Sequence, residues 1–127
     1  DLKFNIGYVY ADESLVCVDD TTSALYNQIV PMPEVKPASF EYMRRDDHQY
    51  ELGVVVEYNQ NNIAGAGSCI FLHVKKEQNA PTSGCVAMEL GQMRKIAAWL
   101  KSDAKIVILE DADLELFLKK QPQIELR

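Results

Sequence analysis

The apolar residues of this chain come in short runs that turn signals repeatedly interrupt. Val54-Val55-Val56 and Ile106-Val107-Ile108-Leu109 are examples. Runs of that size suit a strand and fall far short of the ~20 residues that span a bilayer. Between such runs stand loops set by composition: a stretch broken by Pro31, Pro33 and Pro37, then residues 59–67 (NQNNIAGAG), then the polar residues 75–83. A chain punctuated in this way buries its apolar side chains by gathering many short strands, so the expected class is mainly β with flanking helices, α+β. At 127 residues it has room for one domain with a real core and not for two, so residues 1–127 are read as a single domain.

Within that frame, residues 4–18 read as extended, with Ile6, Tyr8 and Tyr10 alternating against smaller or polar neighbours. The oxygen-bearing run Asp19-Asp20-Thr21-Thr22-Ser23 precedes Ala24-Leu25-Tyr26 and predicts a helix start there. The spacing of Phe40 and Met43 predicts a short helix over residues 38–45. Residues 51–58 (ELGVVVEY) predict a strand buried on both faces. Residues 68–74 (SCIFLHV) and Val86-Ala87-Met88 are further strands. Leu90, Met93, Ala97 and Leu100 recur at helical spacing over residues 90–102. Residues 105–109 predict a last core strand, 111–120 a shorter helix, and 110–127 together a C-terminal helix and tail.

The net charge of −6 counts against nucleic acid as a partner, since such proteins carry a basic footprint and the densest basic groups here are dipeptides. Three cysteines, Cys17, Cys69 and Cys85, cannot all pair within one chain, so at least one thiol is free. None of them sits in zinc-ligand spacing with another cysteine or a histidine.

The chemistry gathers at two strand ends. His73 closes SCIFLH and Cys85 opens CVAM, with a short loop between, so the two strands are expected side by side with those ends close. An imidazole beside a thiol takes its proton and brings thiolate toward neutral pH. Gly84 allows close approach of backbone to substrate, and the amides around Ser83-Gly84-Cys85 can face a developing oxyanion. That is an acyl-transfer site in outline, against the plainer reading of Cys85 as a small hydrophobe at a strand start.

GAGSCIFLHV followed by APTSGCVAM resembles the catalytic segment of the L,D-transpeptidase (YkuD-type) family, in which a histidine at a strand end precedes a Ser/Thr-x-Gly-Cys motif. LVCVDDTTSALYNQIV, YMRRDDHQYELGVVVEYN and RKIAAWLKSDAKIVIL extend the likeness over roughly residues 6–109. The resemblance implies a β-sandwich of the L,D-transpeptidase type, with the family's first strands absent from residues 1–127 and supplied by a missing N-terminal segment or a partner chain. It implies that Cys85 is the nucleophile and His73 its general base, with Ser83 and Gly84 flanking the oxyanion hole. The substrate class it implies is the peptidoglycan stem peptide. A thioester forms on Cys85 with loss of a D-amino acid, and an amine (transpeptidation) or water (carboxypeptidase or amide hydrolysis) resolves it. The family needs no cofactor and no metal. Its site is bacterial and extracytoplasmic, in the periplasm or its equivalent, with any leader outside this chain. Once Cys85 is the nucleophile, Cys17 and Cys69 are left either as a disulfide or as free thiols, Cys69 packing in its strand.

Two departures stand out. The family carries arginine two residues after the cysteine, where this chain has Ala87, and glycine after the histidine, where it has Val74. Arg44 or Arg45 can supply the lost charge at a substrate site, against the alternative of a solvated, internally paired surface. Tyr26 and Asn27 line the cleft by analogy with the family, or pack in the core. His48 is read as a surface residue, Asp19-Asp20 as a turn cap and Trp99 as packing. Two other readings remain: a papain-like hydrolase, which places cysteine before histidine at a helix start, and a degenerate wall-binding module without catalysis.

Overall fold

The computed structural model describes residues 2–77 and 80–121. Eight elements follow in order: β1 (Leu15–Val18), β2 (Ile29–Pro31), β3 (Phe40–Tyr42), β4 (Val54–Val55), β5 (Phe71–Val74), β6 (Val86–Met88), α1 (Leu90–Trp99) and α2 (Asp111–Lys120). They form two three-stranded sheets, β2-β1-β3 and β4-β5-β6, with α1 packed on β5. The α+β class expected from the short apolar runs is therefore the one observed.

In the first sheet β1 is central and both its neighbours are antiparallel, with Cys17 opposite Ile29 on one side and Glu41 on the other. Directly opposed residues share a face, so Ile29, Cys17 and Glu41 form one row. In the second sheet β5 is central, antiparallel to β4 and parallel to β6. The central strands supply most of the core: Val16, Cys17 and Val18 from β1, Phe71 and Leu72 from β5, with Met93 and Ala97 from α1. Cys17 and Cys69 are joined by a disulfide, with Cα atoms 6.0 Å apart. Of the two states left open for this pair, the oxidised one is present. It links the middle strand of one sheet to the residue two positions ahead of the middle strand of the other.

Several elements differ from expectation, and long-range pairing is the common reason. Residues 40–42 are a strand, not part of a helix, because β1 offers them a ladder that outweighs the Phe40/Met43 spacing. No helix starts at Ala24. The chain instead makes successive turns closed by Ser23 N–H to Asp20 O, Tyr26 N–H to Ser23 O and Gln28 N–H to Leu25 O. Asp20 belongs to that turn, accepting from the Thr22 and Ala38 amides, as the capping reading requires. Residues 51–58 pair only at Val54–Val55 and bury one face, leaving Val55 54% exposed. Residues 105–109 form no strand and lie exposed, since no described strand pairs with them. Within residues 4–18 only Leu15–Val18 is a strand. The helix expected over 90–102 stops at Trp99, where Leu100 leaves helical geometry (ψ 143°), whereas α2 occupies the predicted residues.

The disulfide closes a loop with a sequence separation of 52, and restricting the unfolded chain over that span is worth roughly 4 kcal/mol. Titration of the unreduced, denatured protein is expected to find one thiol per chain. Reduction, or a Cys17→Ser/Cys69→Ser double variant, is expected to lower urea stability by an amount of that order. Three thiols, or no loss of stability, would contradict the bridge.

Candidate active site

The site begins with the register of β5 and β6. Leu72 pairs with Val86, His73 with Ala87 and Val74 with Met88 in a parallel ladder. Paired residues share a face and alternate residues return to it, so His73 and Ala87 point the same way as Phe71 and Cys85. The two candidate catalytic side chains thus stand on one face of adjacent strands, and the adjacency of the strands is what the sequence led us to expect. They are not directly opposite, however. The pairing is parallel rather than hairpin-like, so Cys85 lies level with Phe71, two positions or roughly 7 Å along the strand from His73.

Cys85 is the free cysteine of the described residues and is half-buried. Its Sγ accepts from the Phe71 N–H at 3.4 Å and donates to the Cys69 carbonyl at 3.5 Å. It packs against the cluster formed by Cys17, Cys69 and Phe71. Burial pushes the thiol pKa up; the Phe71 amide works against this, and the negative charge of Glu41 adds to it. Burial thus works against the thiolate that the sequence led us to expect, and the sulfur's hydrogen bonds go to the backbone of Phe71 and Cys69 rather than to imidazole. Catalytic hydrogen bonds often tighten only with substrate bound, so this geometry does not by itself exclude a role for the pair.

His73 is 5% exposed. Its Nδ1 lies 2.8 Å from the Val74 carbonyl oxygen. A carbonyl only accepts, so Nδ1 carries the proton and the lone pair sits on Nε2, the arrangement of a general base. The Tyr50 ring stands edge-on to the imidazole, centroids 5.5 Å apart at 87°, and edge-on to Phe71 at the same separation. Tyr50 is anchored because Val74 N–H donates to the Gln49 carbonyl, drawing its loop onto the end of β5. Its hydroxyl donates to Glu41 Oε2 at 2.9 Å.

The other expected residues divide. Ser83 and Gly84 lie exposed beside Cys85. Gly84 has φ +126°, a conformation open to glycine, and a Cβ there would meet Ile70 Cδ1 at 3.4 Å. Thr82 Oγ1 donates to the Cys85 carbonyl and fixes the end of this turn. Arg45 joins the site's surroundings: its guanidinium forks onto Asp47 and lies 5.5 Å over the Tyr50 ring. Arg44 is exposed and its charge acts on Asp12, away from the cysteine. Tyr26 is 5% exposed and belongs to the core.

Asn27 lines an open cavity of about 330 Å³ with Cys69 and Phe71, but its amide is committed to structure. It donates to the Tyr58 and Asn59 carbonyls and accepts from Cys69 N–H. That last bond steadies Cys69 at φ 56°. His48 and Trp99 are exposed and touch none of this.

Two neighbours of the site, Glu41 and Tyr50, went unrecognised in the sequence. Glu41 was hidden by the helical reading of its segment, since only strand alternation puts it in the row with Cys17. Tyr50 had a usable signal in its place after the charged run 44–48 and just before a strand.

Among the described residues, no group of three or more His, Cys, Asp or Glu side chains is placed to hold a metal. The family model for the L,D-transpeptidase catalytic domain (YkuD) matches residues 16–108, a stretch that runs from within β1 to beyond α1 and includes both His73 and Cys85. No curated protein and no solved structure matches the chain.

Alkylation of Cys85 by iodoacetamide is expected to rise with pH around a midpoint above that of an ordinary free thiol, because burial disfavours the thiolate; a midpoint well below it would show a pre-formed ion pair. Gly84→Ala is expected to lose about 1–3 kcal/mol in urea unfolding, the cost of forcing a side chain into that backbone region; unchanged stability would show that the turn relaxes.

Proposed function

This chain belongs to the L,D-transpeptidase catalytic domain family, and from that membership we propose that it carries out cysteine-dependent acyl transfer on peptidoglycan stem peptides, with Cys85 as nucleophile and His73 as general base. The observation that carries the assignment is the shared face of β5 and β6. It holds a free thiol and a buried imidazole whose Nδ1 is already committed to a carbonyl.

In this reading, substrate enters at the exposed Ser83-Gly84 turn and the Cys85 side chain rotates from its β5 backbone partners toward the imidazole. Nε2 takes the thiol proton as Sγ bonds to the carbonyl carbon of the stem peptide. Charge develops on the carbonyl oxygen, where the backbone N–H groups around Ser83, Gly84 and Cys85 receive it. Collapse breaks the C–N bond, and the imidazolium returns its proton to the leaving D-amino acid. The thioester then passes to an amine or to water. The chemistry calls on no metal or cofactor.

Hydrolysis is favoured as the outcome by one specific feature. Ala87 is the cross-strand partner of His73, so a methyl group stands where the family pattern has arginine, directly beside the imidazole. We place the protein outside the cytoplasm, in the periplasm or its equivalent. Wall substrate and the Cys17–Cys69 disulfide both support this. No helix among the described residues is long and apolar enough to cross a membrane.

Purified muropeptides incubated with the protein and resolved by mass spectrometry test the proposal. Free D-amino acid without dimers is the expected product; dimers would make transfer to an amine the main outcome, and unaltered muropeptides would overturn the assignment. Cys85→Ser is expected to abolish turnover with the fold intact. His73→Ala is expected to lower it by roughly 10²–10⁴-fold, the usual contribution of a positioned base. A carbapenem is expected to add covalently to wild type and not to Cys85→Ser.

A further inference from the structure

We propose that Glu41 is a positioning residue for the Cys85–His73 pair, acting through its hydrogen bond to Tyr50. The proposal rests on the reading of those two residues as nucleophile and base. Glu41 sits mid-strand in β3 opposite Cys17, which places its carboxylate in the row of Ile29 and Cys17. A carboxylate held beside apolar neighbours costs free energy unless it is paired. Here the Tyr50 hydroxyl supplies the pairing, donating to Oε2 at 2.9 Å.

The bond has a consequence one residue further on. Tyr50 is held at its hydroxyl by Glu41, on its face by Arg45, and along its edges by Phe71 and His73. The imidazole is in turn pinned at Nδ1 by Val74 O, which still permits the ring to tilt about that bond. The Tyr50 ring blocks the tilt on one side. Glu41 therefore fixes the direction in which Nε2 points. The same network reaches the thiol, because Phe71, the second ring against Tyr50, donates its N–H to Cys85 Sγ. The groups that bear on His73 and Cys85 are thus Tyr50 and Arg45 from residues 45–50, Glu41 from β3, the β5 backbone and the Cys69 carbonyl ahead of it.

A purely structural pair would stabilise the fold without directing the imidazole, and the two roles separate experimentally. Glu41→Gln keeps an oxygen that accepts from the Tyr50 hydroxyl, whereas Glu41→Ala and Tyr50→Phe remove the tie. We expect Glu41→Ala and Tyr50→Phe to lower kcat on stem peptides about 10- to 100-fold with KM little changed, as misplacement of a reacting group does. Glu41→Gln should recover most of the loss. Independently of turnover, the His73 ring-proton NMR shifts, which the edge-on Tyr50 ring sets, should move in Glu41→Ala and match wild type in Glu41→Gln. Folded Glu41→Ala with wild-type shifts and kcat would overturn the proposal. So would a Glu41→Gln variant as impaired as Glu41→Ala, since charge rather than the hydrogen bond would then be acting. If wild type fails on stem peptides, the catalytic reading falls while the ring shifts still decide whether Glu41 positions His73.

Discussion

The bond between Cys17 and Cys69 ties the middle strand of one sheet to the segment leading into the middle strand of the other, and much else in the molecule is arranged around it. Each sheet has only three short strands, too few to form a deep core alone. Cross-linking β1 to the residues leading into β5 brings Phe71 against the disulfide and sets Cys85 on the same cluster. The link also demands a special backbone at Cys69, whose positive φ is steadied by the Asn27 side chain. Asn27 in turn gathers the Tyr58 and Asn59 carbonyls. Covalent bond, asparagine and loop together hold the approach to β5, the strand that carries the imidazole.

The sequence was most legible where structure is local. The 3.6-residue spacing of Leu90, Met93 and Ala97 yields a helix, and Asp111 to Lys120 forms one with acidic residues in its first turn and lysines in its last. It was least legible where a distant strand decides. Residues 38–45 have helical spacing in isolation, yet β1 recruits Phe40–Tyr42 into a sheet. Ile106-Val107-Ile108-Leu109 has strand composition, yet apolarity specifies no partner, and the segment lies exposed. The Asp19–Ser23 run carries the right side-chain oxygens for a cap, but the same oxygens close turns, and Asp20 spends one on the distant Ala38 amide.

For the site, residue types were legible and their surroundings were not. His73 and Cys85 announce themselves through the resemblance and their places at strand ends. That both lie on one face follows from the register of β6 on β5, which the sequence does not reveal. Their offset was hidden too, because nothing in the short connecting segment signals that the two strands run parallel. The electrostatics were hidden for the same reason. Only the register of β3 on β1 reveals that a carboxylate occupies the inner row, and only the packing of residues 45–50 on β5 reveals what it holds.

The parallel ladder of β5 and β6 makes the register of β6 decisive for where the thiol stands. Side chains alternate across a strand, so sliding β6 by one step would keep every backbone pairing while carrying the thiol to the opposite face. A slide of two steps would return it to the correct face and bring it level with the imidazole, in the place Ala87 now occupies. Shifts of the β6 register are therefore read by parity: odd ones carry the thiol off the imidazole's face and even ones reset the distance along it.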